Sequence, residues 1–455
     1  MNLNVWDGDL LEQMPGYGEY LRKRRKEQGL RIGDLTDRQI SSATISHIET
    51  GKKRVGIEKV RYYCSKLGLE IEELPRYLLK ERKQKEQTAE ETMLFLQWVE
   101  FIFYSLGVQE SWRMLRKMKW PDGDFFAMHN HFFRGKCLSA KGKWEKAFDQ
   151  FQHALNIIKR NPEFLSTNIA ASICYEVAQL YFQQNQIHKA LEWTDRGLSF
   201  FQENGQRKEA LFLLLLSKAN YLERLMRTEE ASAITESIFT YPLRVSSDIL
   251  LRAFALKARI CNHNQQFEEA IDLTKKGISL AQSEGKVDRC FELMVIQASS
   301  FKHLGKIRLA EICFATAAKF ETRIASPRLT ALYHKELGFL HLMTDQIQEG
   351  KEHLNRALHL AEQMNDLVSR YEALNALGEW SIQQNEMEEA VKYFTEAYDL
   401  MENHGYSRQE KEIALKLAKC FEQLGEQQQH QHFLSKYYQS STEFIQHHDQ
   451  SVSQS

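Results

Sequence analysis

Beyond residue 120 the apolar residues recur at helical spacing, and a second, much longer period overlies the first. A small residue, Ala147, is followed at intervals of 39 to 43 residues by Ala190, Ala231, Ala270, Ala310, Gly350, Ala390 and, in a degenerate last copy, His430. Twelve positions before each stands Gly or Ala: Gly135, Ala178, Ala219, Ala258, Ala298, Gly338, Gly378 and Ala418. Seven positions after the anchor, Ile238 and Tyr437 are the two exceptions to the same rule. Two antiparallel helices cross closely only where side chains are small. Each copy therefore predicts a pair of helices, with Gly142, Gly305 and Gly425 in the turns between them. The N-terminal part is shorter in grain. Residues 18–30, 32–36, 41–51, 56–67 and 71–79 each carry a short helical pattern.

These patterns predict an all-α chain: a five-helix N-terminal domain, then an α-solenoid of about eight or nine helix pairs. The expected divisions are an N-terminal extension at 1–16, a first domain at 17–80, a linker helix and first helix pair at 81–120, the repeats at 121–440 and a disordered tail at 441–455. Within the linker, KERKQKEQ reads as a charged exposed helix or connector. Glu90–Leu106 and Ser111–Trp120 read as a pair around Gly107. Only six of the 455 residues are proline, which suits helix throughout.

Charge changes the picture of the first domain. The net charge of −1 hides an excess of seven cations between Tyr17 and Glu86 and of eight anions elsewhere. A basic module on a mildly acidic body points to a polyanionic partner for that module. Within it, Ser41 is a good helix N-cap and Gly51 a good C-terminal stop. Ile45 and Ile48 form an inward face. Ser41, Ser42, Ala43, Thr44 and His47 are left to enter a DNA major groove, and Lys52, Lys53 and Arg54 to grip phosphates. The segment resembles the lambda-repressor-like helix-turn-helix family through Arg25, Gly29, Leu30, Leu35 and the run Ser46-His47-Ile48-Glu49-Thr50-Gly51. The resemblance implies an internal Arg25–Glu49 pair. It also implies a lost phosphate contact, because Ile32 stands where the family usually has Gln.

The three-point register of small residues is that of tetratricopeptide repeats, stretched from the common 34 residues to about 40. With a helix-turn-helix in front, and 11 residues from Leu35 to Ser46, the chain resembles the RRNPP-type peptide-pheromone receptors of Gram-positive bacteria, such as NprR, PlcR and Rgg. In such arrays the first helix of each pair lines the concave wall. Its inward positions predict Tyr175, Gln179, Asn220, Arg259, Asn262, Lys335, Asn375 and Glu379 as peptide-facing. The resemblance implies that Asn220, Asn262 and Asn375 hold the peptide backbone and that Arg259 takes a carboxylate.

Other chemistry is thinly represented. No phosphate-binding loop, nucleophile elbow, H-E-x-x-H or C-x-x-C occurs, so no catalytic residue, metal ligand or cofactor is expected. The seven cysteines are scattered through helical patterns, as buried thiols in a reducing compartment would be. The N-terminus lacks a basic head and apolar run, and no stretch has the length and hydropathy of a membrane span. The expectation is a cytoplasmic, homodimeric transcription regulator that binds double-stranded DNA and a short signalling peptide in quorum sensing. The alternatives are a tetratricopeptide adaptor, or a bifunctional regulator that also binds a response-regulator protein.

Overall fold

The computed structural model describes residues 16–241 and 245–452, with side chains through Gln439. Regular structure among them is helical, without strands. The chain divides into two compact units, 1–130 and 131–455.

The first unit contains α1 (Tyr17–Glu27), a short 3-10 turn (Ile32–Leu35), α2 (Ser42–Thr50) and α3 (Ile57–Lys66). A second 3-10 turn (Ile71–Glu73) leads into α4 (Leu74–Ser105), and α5 (Val108–Lys117) follows. Leu21, Ile45, Ile48, Val60, Tyr63 and Leu74 form one buried cluster. Helices α1 and α2 touch at Gly18, where an added Cβ would stand 2.3 Å from the Ile48 carbonyl oxygen. The charged connector turned out not to be a break. The fifth short helix and the linker are one 32-residue helix, α4, because nothing between Arg76 and Ser105 is a glycine or proline to stop it.

Helix α6 (Asp124–Ala140) carries the chain into the repeats. It pairs with α7 (Trp144–Arg160). Five further pairs follow: α8/α9 (Ile169–Gln183, Ile187–Phe200), α10/α11 (Glu209–Arg224, Thr228–Thr240), α12/α13 (Ser247–His263, Phe267–Ser283), α14/α15 (Val287–His303, Ile307–Ala318) and α16/α17 (Pro327–Met343, Ile347–Gln363). The last two are α18/α19 (Leu367–Gln383, Met387–Glu402) and α20/α21 (Ser407–Leu424, Gln427–Val452). Of the expected extension and tail, residues 1–15 and 453–455 lie outside the described residues.

The anchors from Ala147 to Ala390 and the small residues twelve before them are all buried. Helix-pair size matching explains which small residue is used. Four residues after the anchor stand Phe151, Leu354 and Phe394 opposite Gly135, Gly338 and Gly378, and Thr194, Thr235 and Thr274 opposite Ala178, Ala219 and Ala258. A Cβ on Gly378 would approach Phe394 to 2.4 Å, and one on Gly135 would approach Phe151 to 2.5 Å. Where Thr replaces the bulky residue, its buried hydroxyl is satisfied by its own helix: Thr194 donates to the Ala190 carbonyl at 2.7 Å and Thr235 to the Ala231 carbonyl at 2.6 Å. Phe314 opposite Ala298 departs from the rule.

The turn within every pair is also built alike. Five residues before each anchor the backbone is left-handed in all eight copies, from φ 57° at Asn185 and Asp345 to φ 77° at Gly425. Glycine fills three of these positions, while Met226 and Gln265 adopt the conformation at a steric cost of about 1–2 kcal/mol each.

Gly378→Ala is expected to destabilise the protein by about 1–3 kcal/mol in urea denaturation through overpacking against Phe394. Adding Phe394→Thr should bring the pair to the Ala/Thr solution of three other repeats, so the double variant should lose less than the sum of the single changes.

Candidate functional site

In the first unit the Ser41 hydroxyl caps α2, accepting the Thr44 amide at 3.2 Å and sharing a 2.9 Å hydrogen bond with the Thr44 hydroxyl. Gly51 ends the helix at φ 65°. The cap leaves Ser42 and Ala43 exposed and Thr44 and His47 half-exposed, while Ile45 and Ile48 are buried. Lys52, Lys53 and Arg54 are exposed in the loop that follows. The predicted DNA-facing residues are thus exposed or half-exposed on α2, its cap and the loop that follows.

Behind that surface lies a buried ion pair. The Arg25 Nε and Nη2 donate to the two Glu49 carboxylate oxygens at 2.6 and 2.9 Å, and Nη1 donates to the Leu30 carbonyl at 2.8 Å. The Tyr63 hydroxyl donates to the same carboxylate. Burial alone would raise the Glu49 carboxyl, but these donors outweigh it and hold it below the usual range. Arg25 and Glu49 fix the back of α2 and do not face outward.

The second unit closes on itself. The Arg224 guanidinium, at the end of α10, meets the Asp366 carboxylate with two bonds of 2.7 and 3.0 Å. The Asn185 amide donates to the Asn365 carbonyl at 2.8 Å, the Gln409 amide donates to the Arg224 carbonyl at 2.7 Å, and Arg408 donates to the Met226 carbonyl. These bonds join residues 142 to 185 apart in sequence. One apolar cluster follows them, with Leu222 and Ile260 from the early repeats and Leu374 and Leu417 from the late ones.

A cavity of about 620 Å³ opens among the first helices of the pairs, within the size range of sites for small ligands. Of the eight predicted peptide-facing residues, Tyr175, Gln179, Asn220 and Arg259 line it. Asn262, Lys335, Asn375 and Glu379 belong to the same inner ladder of side chains but lie outside the cavity lining. That ladder joins one repeat to the next. Gln179 donates to Ser217 and Tyr221 at 3.0 Å each. Arg259 donates to Glu223 at 3.2 Å, Asn220 at 3.3 Å and Glu292 at 3.4 Å. Asn262 accepts from Ser300 at 2.8 Å, Lys335 donates to Glu372 at 2.7 Å, and Lys416 donates to Asn375 at 2.8 Å and Glu379 at 2.6 Å.

The charges are consistent with this mutual engagement. Burial would raise Glu223, but Arg259, His263 and Arg224 drive its pKa well below the usual carboxylate range. Burial would lower Lys335, yet Glu372 and Glu336 hold it up. Asn220 keeps its amide nitrogen available: its oxygen accepts from Arg259, and no partner for the nitrogen is present among the described residues.

Sequence reasoning missed Arg328, Arg252 and Arg289, which also line the cavity. Arg328 stands in the first turn of α16, and Arg289 in the first turn of α14, outside the mid-helix positions that the repeat register singles out. Among the described residues no cluster of His, Cys, Asp or Glu is placed to hold a metal ion, and no helix is long and apolar enough to cross a membrane.

Comparison with known proteins agrees with this division. Residues 17–76 match the helix-turn-helix domain family model, and residues 262–447 match that of the soluble NSF attachment protein, SNAP. No curated protein matches the chain by sequence. Among solved structures, a Rap protein complexed with competence and sporulation factor superimposes with a TM-score of 0.56 at 14% identity, over 80% of this chain and 99% of that one. The apo quorum sensor NprR from B. thuringiensis gives 0.49 at 14% identity, over 86% and 99%. NprR in complex with its cognate peptide NprX gives 0.49 at 14% identity, over 67% and 86%. The fold is thus a helix-turn-helix domain joined to a Rap-like helical-repeat superhelix.

Asp366→Asn should leave Arg224 buried without its counter-ion and cost about 3–5 kcal/mol, with a larger radius of gyration in small-angle scattering. Burial would raise the Asp366 carboxyl, but Arg224 depresses it well below the usual range. A depressed folded pKa stabilises above the unfolded value of about 4 and loses that contribution as pH falls. The wild-type superhelix should therefore expand in acid below about pH 4, and the Asn variant should be expanded already at pH 7.

Proposed function

We propose that this protein is a transcription regulator that binds double-stranded DNA through α2 and is controlled by a short peptide held in the cavity of its repeat unit. The observation that carries the reading is that one chain has both an exposed, capped helix start followed by cations and a polar cavity inside a closed superhelix. The first suits a major groove and its flanking phosphates. The second suits an extended chain whose backbone groups need partners on losing water, at about 1–3 kcal/mol for each left unpaired. The Rap protein of similar fold is itself complexed with competence and sporulation factor, which favours a signalling peptide. The protein acts as a homodimer on a two-fold-related site, and the peptide shifts the populations of two arrangements of the dimer.

Selection of duplexes from a random pool with the full-length protein should return a two-fold-related site. Lys53→Ala should weaken binding to every sequence and reduce the salt slope by about one. Thr44→Ala should alter base preference instead. A wild-type protein that selects no sequence would refute the DNA reading.

In the cavity Asn220 is expected to donate from its free amide nitrogen to a peptide carbonyl. Peptides selected on the wild-type protein from a random heptapeptide pool should bind Asn220→Ala about tenfold more weakly by calorimetry, a loss of about 1.4 kcal/mol. Unchanged affinity would remove Asn220 from the site. No retained peptide at all would refute the peptide reading and leave a protein partner as the occupant.

A further inference from the structure

The α16–α17 crossing is built with glycine at both of its contact points, Gly338 and Gly350, whereas in each of the other seven pairs at least one of the two is larger. A Cβ on Gly338 would stand 3.1 Å from the Gly350 carbonyl oxygen, and one on Gly350 would stand 3.2 Å from the Gly338 carbonyl oxygen. Backbones this close force the side chains beside them together. Three of those side chains are imidazoles: His334, one helical turn before Gly338, His341, three residues after it, and His353, three residues after Gly350.

His334 is buried, and the other two rings are half-buried. The Nδ1 atoms of His334 and His353 lie 2.9 Å apart, and the two rings stack with centroids 5.1 Å apart. The His341 ring stacks on His353 at 5.3 Å, with planes 7° apart. His334 Nε2 meets the Glu321 carboxylate at 3.1 Å, and Arg356 meets the same carboxylate at 3.3 Å. The charged and titratable groups acting on the His334–His353 pair are therefore Glu321 from the 3-10 turn Glu321–Arg323, His341 from α16, and Glu352 and Arg356 from α17. Toward α14 and α15 the neighbours are aromatic: Tyr333, in ring contact with His334, packs on Phe291 and Phe314. Toward α18, α17 presents Lys351 against Trp380 and Glu362 against Arg370.

This bonding leaves room for one extra proton and no more. An ionised carboxylate only accepts, so His334 Nε2 carries a hydrogen. The two Nδ1 atoms can share a single N–H, donated by either ring. A second added proton would set two donors face to face at 2.9 Å, with Arg356 as a further cation nearby. Burial, Arg356 and His353 outweigh the attraction of Glu321 and push the His334 pKa down to about 4 from the usual 6.5. Burial and His341 lower His353 in the same way. In the unfolded chain each imidazole takes its proton freely, so the unfolded state binds more protons below about pH 6.5. Stability is complete above that value and is lost as the pH falls toward about 4.

From three imidazoles gathered around one carboxylate at a glycine–glycine crossing, we infer that the α16–α17 pair is an acid-sensitive joint in the repeat unit. Proton uptake breaks the His334–His353 bond and loosens the two helices from each other. It also loosens the start of α16, where Ser326 and Leu329 line the cavity. The joint lies within one helix pair and acts whatever occupies that cavity. Its pH range lies above that of the Arg224–Asp366 pair, whose contribution is lost below about pH 4.

The full-length protein is followed by amide hydrogen exchange and mass spectrometry, with each segment corrected for the intrinsic effect of pH. Protection of α16 and α17 is expected to fall about twentyfold between pH 7 and pH 5, the factor that His334 alone supplies, while α8 and α9 keep theirs. His334→Gln, which cannot gain charge, should remove that fall. His353→Gln offers a carbonyl oxygen to a charged His334 and should reduce it, and this half-buried position decides the matter if the buried substitution fails to fold. Equal protection at pH 7 and pH 5, or an undiminished fall in either variant, would overturn the inference. So would a fall shared equally by α8 and α9, which would place the acid response outside this joint.

Discussion

The bidentate Arg224–Asp366 pair is the constraint on which the repeat unit depends. A solenoid in which each repeat touches only its neighbours is open-ended, and its inner surface is a groove in contact with bulk water. Joining the end of α10 to the start of α18 changes this. The early and late repeats share one apolar cluster. Such a pair is costly to desolvate, so it persists only where geometry and added hydrogen bonds repay the cost. Here both Arg224 nitrogens meet both Asp366 oxygens, and the Asp366 side chain also caps α18 through the Ser369 amide.

The inner wall shows how a regular repeat consumes its own polar residues. Positions equivalent in successive copies stack one above another, about 40 residues apart. A long side chain on one helix therefore finds the next helix before it finds a ligand. Arg259, Asn262, Lys335 and Lys416 all do this. Among the described residues the Asn220 amide nitrogen is left without such a partner. Side-chain type alone does not separate a residue that braces the wall from one that faces the cavity, because both need the same donors.

In the first unit a buried polar pair has the opposite task. Arg25, Glu49 and Tyr63 meet beneath α2 and fix its rear face, while the close crossing at Gly18 sets its height against α1. With both fixed, the outward side chains of α2 are presented on a rigid element, and the capped helix start leaves Ser42 and Ala43 exposed.

Local chemistry determined a great deal by itself. The helix pairs, their number and their register follow from the spacing of small residues, because close helix crossing forbids bulk wherever it occurs. The capped helix at Ser42–Thr50 and its internal Arg25–Glu49 pair follow from local signals and a recognisable motif. Within-chain size matching, Gly opposite Phe or Leu and Ala opposite Thr, was also written there, but it becomes visible only once the packing partner of each position is known. The left-handed turns at Met226 and Gln265 carried no glycine to betray them. The tertiary structure alone decided that the superhelix closes, since Arg224 and Asp366 lie 142 residues apart and nothing local marks either as the other's partner. It alone decided which inward polar residues are spent on the wall and which face the cavity. Both outcomes depend on the accumulated rotation of one repeat on the next, a sum of small angles that no single window of sequence contains.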